Sequence, residues 1–191
     1  METISFITAL KYPFNKPKRL LYALLLLVPV IGWLALFGYV IRIVNEFIEG
    51  KYEELPKLHF TDDLILGFSM FLKSLPFYIV YIALLAGIMM IDEDIANILS
   101  ILLGFFVLPI LNVNFYRKQT VGSYFDFGKL GYVMDNIGDY IVTMLKQYAT
   151  YIIFLVLSIV LVGIPALYFT SLIFAANFYG RFVKEQAEQV L

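Results

Sequence analysis

Residues 75–116 read LPFYIVYIALLAGIMMIDEDIANILSILLGFFVLPILNVNFY, two long apolar runs divided by Asp92-Glu93-Asp94. A helix rises about 1.5 Å per residue, so about 20 apolar residues cross a hydrocarbon core about 30 Å thick. Leu75 to Ile91 and Ile95 to Tyr116 are each long enough to cross, and the acidic tripeptide is the turn between them. Leu20 to Val44 and Tyr148 to Tyr179 extend the pattern on either side. None of these runs has the short alternating strands of an outer-membrane barrel. In lipid every backbone N–H must be paired, and a helix pairs its own. The sequence therefore predicts an all-α integral membrane protein, a single membrane domain over residues 1–191.

Composition points the same way. Of 191 residues 61% are apolar and 15% charged, against about 45–50% and about 25% in ordinary soluble domains. The mean hydropathy of +0.84 is more than a water-facing surface can hide. Fourteen basic and fifteen acidic side chains leave a net charge of -1, so no polycationic footprint for nucleic acid exists. The chain has no cysteine, hence no disulfide and no thiolate metal site.

Lysine and arginine fall into groups: Lys11 to Arg19; Arg42, Lys51, Lys57 and Lys73; Arg117, Lys118, Lys129 and Lys146; Arg181 and Lys184. Residues 20–41, 74–116 and 147–180 have none, although they contain turns: Asp92-Glu93-Asp94 and Gly163-Ile164-Pro165. Cationic loops stay in the cytoplasm and acidic ones carry little topological weight. The simplest topology is three helical hairpins opening on one face, with the basic loops and both termini cytoplasmic in a cell-membrane, multi-pass protein.

An internal repeat fits that plan. Residues 72–80, LKSLPFYIV, align with 145–153, LKQYATYII, and the second legs end alike in Asn114-Phe115-Tyr116 and Asn177-Phe178-Tyr179. A fainter copy opens at Leu10-Lys11-Tyr12-Pro13-Phe14 and closes at Gly38-Tyr39-Val40-Ile41-Arg42. The legs differ in length. Residues 61–116 give a surface helix plus a full hairpin. Residues 125–183 give a surface helix plus a last hairpin with legs of roughly 24 Å, short or re-entrant. Residues 20–44, with Pro29 and Gly32 at their centre, are either a shallow hairpin turning at Val28–Trp33 or one kinked span; the charge pattern favours the hairpin. Their length and lack of a small-x-small motif argue against a cleaved signal.

Three segments read as amphipathic interfacial helices. Residues 1–12 carry Ile4, Ile7 and Leu10 on one face. Thr61-Asp62-Asp63 supplies an N-cap and acidic first turn to the segment ending at Lys73. Phe125–Asp135 is the third. Two prolines at 13 and 17 keep residues 12–17 from being helical throughout.

Candidate sites are sparse. The polar candidates are Asn112, Asn114 and Asn177, readable as a shared pocket or, more simply, as interhelical hydrogen-bonding groups. Lys73, Lys146, Arg117 and Arg181 sit where they can reach lipid headgroups. The tyrosines fit an interfacial belt better than a cation cage. His59 is the only histidine, too little for a metal site. No nucleophile elbow, zincin motif or phosphate loop is present. The sequence thus predicts no catalytic residue, metal or cofactor, and membrane lipids as partners, with a homo-oligomer or other membrane subunits beside them. Three functions follow in order: a non-catalytic lipid-organising or partner-scaffolding protein; a small transporter or channel with a polar pathway at the repeat interface; a lipid-acting membrane enzyme.

Ala9-Leu10-Lys11-Tyr12-Pro13-Phe14, Pro29, Gly38 to Arg42, Gly50, Leu55-Pro56 and Gly67, then Phe127-Gly128, Asn136 to Ile141, Gly163-Ile164-Pro165 and Ala176 to Gly180, resemble a prokaryotic, often archaeal, family filed as a domain of unknown function, number four thousand and thirteen. The resemblance implies a small multi-pass membrane protein and carries over no catalytic or ligand residue.

Overall fold

The computed structural model describes residues 2–189, and side chains up to residue 183; the Lys184 side chain lies outside the described residues. Among them the chain is helical, without a strand. Four helices are long and apolar enough to cross a membrane: Ile31–Glu49, Phe60–Met89, Glu93–Lys118 and Ile137–Val160.

Helix α1 (Phe6–Lys11) begins where Ser5 accepts the Thr8 N–H at 3.1 Å. A 3-10 turn over Tyr12–Phe14 follows, and the backbone leaves helical geometry at Lys16, just before Pro17. Pro17–Leu27 is a second 3-10 helix, spanning about 22 Å at about 2 Å per residue. Val30 (φ 62°) is then the centre of a γ-turn closed by the Ile31 N–H on the Pro29 carbonyl at 2.8 Å. Helix α2 (Ile31–Glu49) returns along the 3-10 leg. The Tyr22 and Tyr39 rings meet at 5.7 Å; in one continuous helix they would stand roughly 25 Å apart. The chain folds back on itself within residues 20–44.

Helix α3 (Phe60–Met89) runs unbroken through Pro76. Helix α4 (Glu93–Leu102) is capped by Asp92, which accepts the Ile95 N–H at 3.0 Å. A π-helical turn, Leu103–Val107, joins it to α5 (Leu108–Lys118). Pro109 has no N–H to give the Phe105 carbonyl four residues back; the Tyr140 hydroxyl donates to that carbonyl instead, at 2.7 Å. Three short helices follow: α6 (Val121–Tyr124), a 3-10 turn at Phe127–Leu130, and α7 (Gly131–Asp135). Helix α8 (Ile137–Leu157) then reaches a reversal between Ser158 and Val162, and α9 (Gly163–Phe169) and α10 (Ile173–Gln189) return.

Two details of the expected surface helices are corrected. Residues 61–73 are not separate from the span: α3 starts at Phe60, His59 is the N-cap residue, and Thr61 lies inside the helix. His59 makes no side-chain cap; the Asp63 carboxylate instead reaches back to the His59 N–H at 2.8 Å. In the amino-terminal segment Ile4, Ala9 and Tyr12 are buried, while Ile7 is 63% exposed. A long-range hydrogen bond from the Ile4 N–H to Asn177, rather than apolar spacing alone, orients this segment.

The core lies among α2, α5, α9 and α10, with Leu36, Tyr39, Phe47, Ile110, Phe115, Phe169, Phe174 and Phe178 fully enclosed. The middle hairpin is different. From residue 79 to residue 102 only the Ala96 side chain is buried, and the outer parts of α3 and α4 pack chiefly on each other. This stretch is a two-helix apolar arm about 15 Å long.

Candidate functional site: a polar network and a lateral groove

Several polar side chains of the helices face inward and find protein partners there. Asn114 is fully buried; its Nδ2 donates to the Ser123 carbonyl at 2.6 Å and its Oδ1 accepts the Tyr179 hydroxyl at 2.7 Å. Asn112 accepts the Tyr124 hydroxyl, which also bonds the Tyr78 hydroxyl at 3.1 Å. Burial pushes the Tyr124 phenol above its ordinary range. Asn177 accepts the Ile4 N–H at 3.1 Å and donates to the Glu2 carbonyl at 3.2 Å. Asn112 and Asn114 therefore converge on α6, and Tyr179 links Asn114 to α10. Asn177 holds the amino-terminal segment. Each amide is spent on a protein partner.

Gln147, which sequence reasoning passed over, does the same in α8. Its Nε2 donates to the Thr170 carbonyl at 2.9 Å and its Oε1 accepts the Phe174 N–H at 3.2 Å. The side chain thereby bridges the break between α9 and α10, supplying both groups that an interrupted helix leaves open. Its signal was an amide in an apolar run, aligned with Ser74 in the repeat.

A second missed feature is the pair Arg42–Asp63. Asp63 is 0% exposed. Arg42 binds it in a fork, Nε to Oδ1 at 2.5 Å and Nη2 to Oδ2 at 2.8 Å, and also reaches the Lys57 carbonyl at 2.7 Å. Its position within the apolar run Leu20–Val44 was the available clue.

Of the four candidate headgroup cations, three are held by the protein. Lys73 donates to the Gln119 carbonyl at 3.0 Å, a cation at the C-terminus of α5 where the helix dipole favours it. Arg117 pairs with Glu49 at 2.8 Å. Arg181 pairs with Asp139 at 2.7 Å and lies over the Phe178 ring. Lys146 has no ion-pair partner among the described residues. Glu54, in the loop after α2, pairs with Lys16 from ahead of the first hairpin at 2.8 Å, and Arg19 approaches the same carboxylate at 3.8 Å. The Lys16 ammonium holds the Glu54 carboxyl below its usual value. His59 is exposed and lies 3.7 Å from Asp62; among the described residues no group of three or more potential metal-binding side chains occurs.

A groove of about 720 Å³ lies between α8 and α9, lined by Tyr148, Tyr151, Ile152, Leu155, Ile164, Leu167 and Tyr168 and almost wholly apolar. The Tyr151 hydroxyl donates to the Ser171 carbonyl across one part of it, and Ser158 turns its hydroxyl to the Phe154 carbonyl at 2.8 Å. A smaller, polar cleft of about 410 Å³ lies at Glu46, Gly50, Lys51, Glu53 and Glu54.

No curated protein and no solved structure matches the chain. Residues 21–174, from the 3-10 leg of the first hairpin to the start of α10, match the family described as a protein of unknown function, DUF4013. With most of its length matched in that way, this helical membrane protein belongs to the DUF4013 family.

Proposed function

We propose that the protein is a non-catalytic membrane protein that organises lipid or scaffolds partner subunits. The observation that supports this reading is the bare arm, residues 79–102, beside hairpins that turn at Val30 and Leu161. In a bilayer the arm occupies about half of the hydrocarbon depth with only two helices' width, while the shorter hairpins and surface segments displace more lipid on the side of the basic loops. Unequal displacement in the two leaflets bends or thins the membrane, and a bare helical pair is also a seat for another subunit. The basic loops and both termini belong in the cytoplasm on this reading, with Asp92 to Asp94 on the other side.

A transporter or channel would need polar groups free to face water, and an enzyme would need converging carboxylates. Asn112, Asn114, Asn177 and Gln147 are instead engaged with protein partners, and the carboxylates that do gather, Glu46, Glu53 and Glu54, come from one short stretch of chain and not from distant parts of it, so the scaffolding reading is better supported than either alternative.

Reconstitution into phosphatidylcholine–phosphatidylglycerol vesicles tests the reading. The full chain should change vesicle curvature or lipid distribution, or capture a membrane partner, and a variant lacking residues 83–100 should do so less. Vesicles like protein-free controls, together with an empty pull-down, would end it. Single cysteines at Lys16, Lys51 and Lys129 should label from one side and a cysteine at Glu93 from the other.

A further inference from the structure

We propose that the groove between α8 and α9 holds one hydrocarbon chain of a bilayer lipid as a fixed part of the fold. The lining chemistry selects the occupant. Ile152, Leu155, Ile164 and Leu167 offer only methyl and methylene surface, Tyr151 and Ser158 direct their hydroxyls to backbone carbonyls, and with Tyr148, Tyr168 and Ser171 included the exposed lining is still almost wholly apolar. A peptide or headgroup seated there would leave its own polar groups unpaired, which a hydrocarbon setting penalises heavily. A methylene chain loses nothing. The volume, about 720 Å³, lies within the roughly 300–1,000 Å³ of small-molecule sites.

The position of the groove argues for the same occupant. It is continuous with the exposed face of the span Ile137–Val160, where Ile152 and Leu155 face outward. The α9 leg has only seven residues, too short to cover that face of α8. Gly163 lies so close to the Phe154 carbonyl that a Cβ there would stand 2.0 Å from it; the two legs touch at the turn and leave the groove beyond it. A lipid chain completes the packing that the short leg omits. This inference rests on residence in the membrane and not on bilayer bending.

The test uses the full chain with Trp33→Phe, which removes the only tryptophan. One tryptophan is then introduced at Leu155 in the groove, or at Ile82 on the arm. Protein is loaded in vesicles of phosphatidylcholine with brominated chains, then diluted into lipid-free detergent. Quenching at Leu155→Trp should persist at least severalfold longer than at Ile82→Trp. Native mass spectrometry of protein without introduced tryptophan should find one retained lipid, lost when Leu167→Trp fills the groove. Equal, immediate loss of quenching at both positions would overturn the proposal, as would a lipid-free native protein. Should Leu167→Trp fail to fold, the quenching comparison decides alone. Vesicles of unchanged shape with the lipid still held would defeat the bilayer-shaping reading and leave this one intact.

Discussion

Gly38 of α2 and Gly67 of α3 meet backbone to backbone, each filling the space where the other's neighbourhood would admit a side chain. A Cβ on Gly38 would stand 1.9 Å from the Asp63 carbonyl oxygen and 2.9 Å from the Gly67 nitrogen; one on Gly67 would stand 1.8 Å from the Leu34 oxygen and 2.9 Å from the Gly38 nitrogen. Membrane helices associate through such close approach, since lipid tails are as apolar as leucine and burial alone gives little drive.

Gly38→Ala should therefore destabilise the fold by roughly 3 kcal/mol or more, at or beyond the upper range of ordinary overpacking, because backbone cannot move aside as a side chain can. Gly87→Ala is the control: no atom comes within 4 Å of its added methyl, and alanine is the better helix former by about 1 kcal/mol. Thermal unfolding in detergent should separate them clearly, with Gly87→Ala at or above the native midpoint. Similar midpoints for the two variants would contradict the contact.

Tyr140→Phe should cost about 1–2 kcal/mol, since it strands the Phe105 carbonyl. In a Pro109→Ala background the helix regains an N–H four residues on, so the same change should cost less. A double-mutant cycle by denaturant unfolding measures the difference; additive effects would disprove the link.

Removing either partner of Arg42–Asp63 should be unequal. Arg42→Ala leaves a fully buried carboxylate with only the His59 N–H for company, whereas Asp63→Asn leaves an arginine whose side chain is 30% exposed. Loss of one partner of a buried pair costs roughly 3–5 kcal/mol; Arg42→Ala belongs in that range and Asp63→Asn below it, discounted for exposure. Arg42→Lys keeps the charge and loses the fork, and should fall between native and Arg42→Ala. The order of unfolding midpoints is the check.

Glu54 titrates below its usual value, chiefly through its hydrogen bond with Lys16. A carboxyl with a lowered folded pKa adds stability above its unfolded pKa, and that contribution disappears as pH falls through the folded value. Carbon NMR of labelled glutamate should give a Glu54 midpoint below that of a free glutamate, and Lys16→Gln should move it upward. An unmoved midpoint would refute the pairing.

Composition and segment length were enough for the helical membrane class, because the hydrocarbon thickness dictates both. Pro29 with Gly32, Asp92 to Asp94, and Gly163 with Pro165 marked the turns, since each breaks a helix by local chemistry. Partnerships across the chain were not legible. Nothing near Gly38 announces Gly67, and Asp139 pairs with Arg181 from another helix and not with Lys146 on its own. The asparagines were noticed as polar groups in apolar runs, yet their partners, Ser123, Tyr124, Tyr179 and the backbone at Glu2 and Ile4, depend on how helices meet. Gln147 went unremarked because the α9–α10 interruption that it spans has no strong breaker residue in Thr170-Ser171-Leu172.

The clasp between Asn177 and the backbone of Ile4 and Glu2 joins residues 173 and 175 positions apart. During synthesis Ile4 emerges long before Asn177 and must wait, with its amide open to whatever is nearby, until residue 177 has left the ribosome. Closure of this contact is thus set by how far translation has run, and a chain stalled before residue 177 leaves the segment around Ile4 with nowhere to dock.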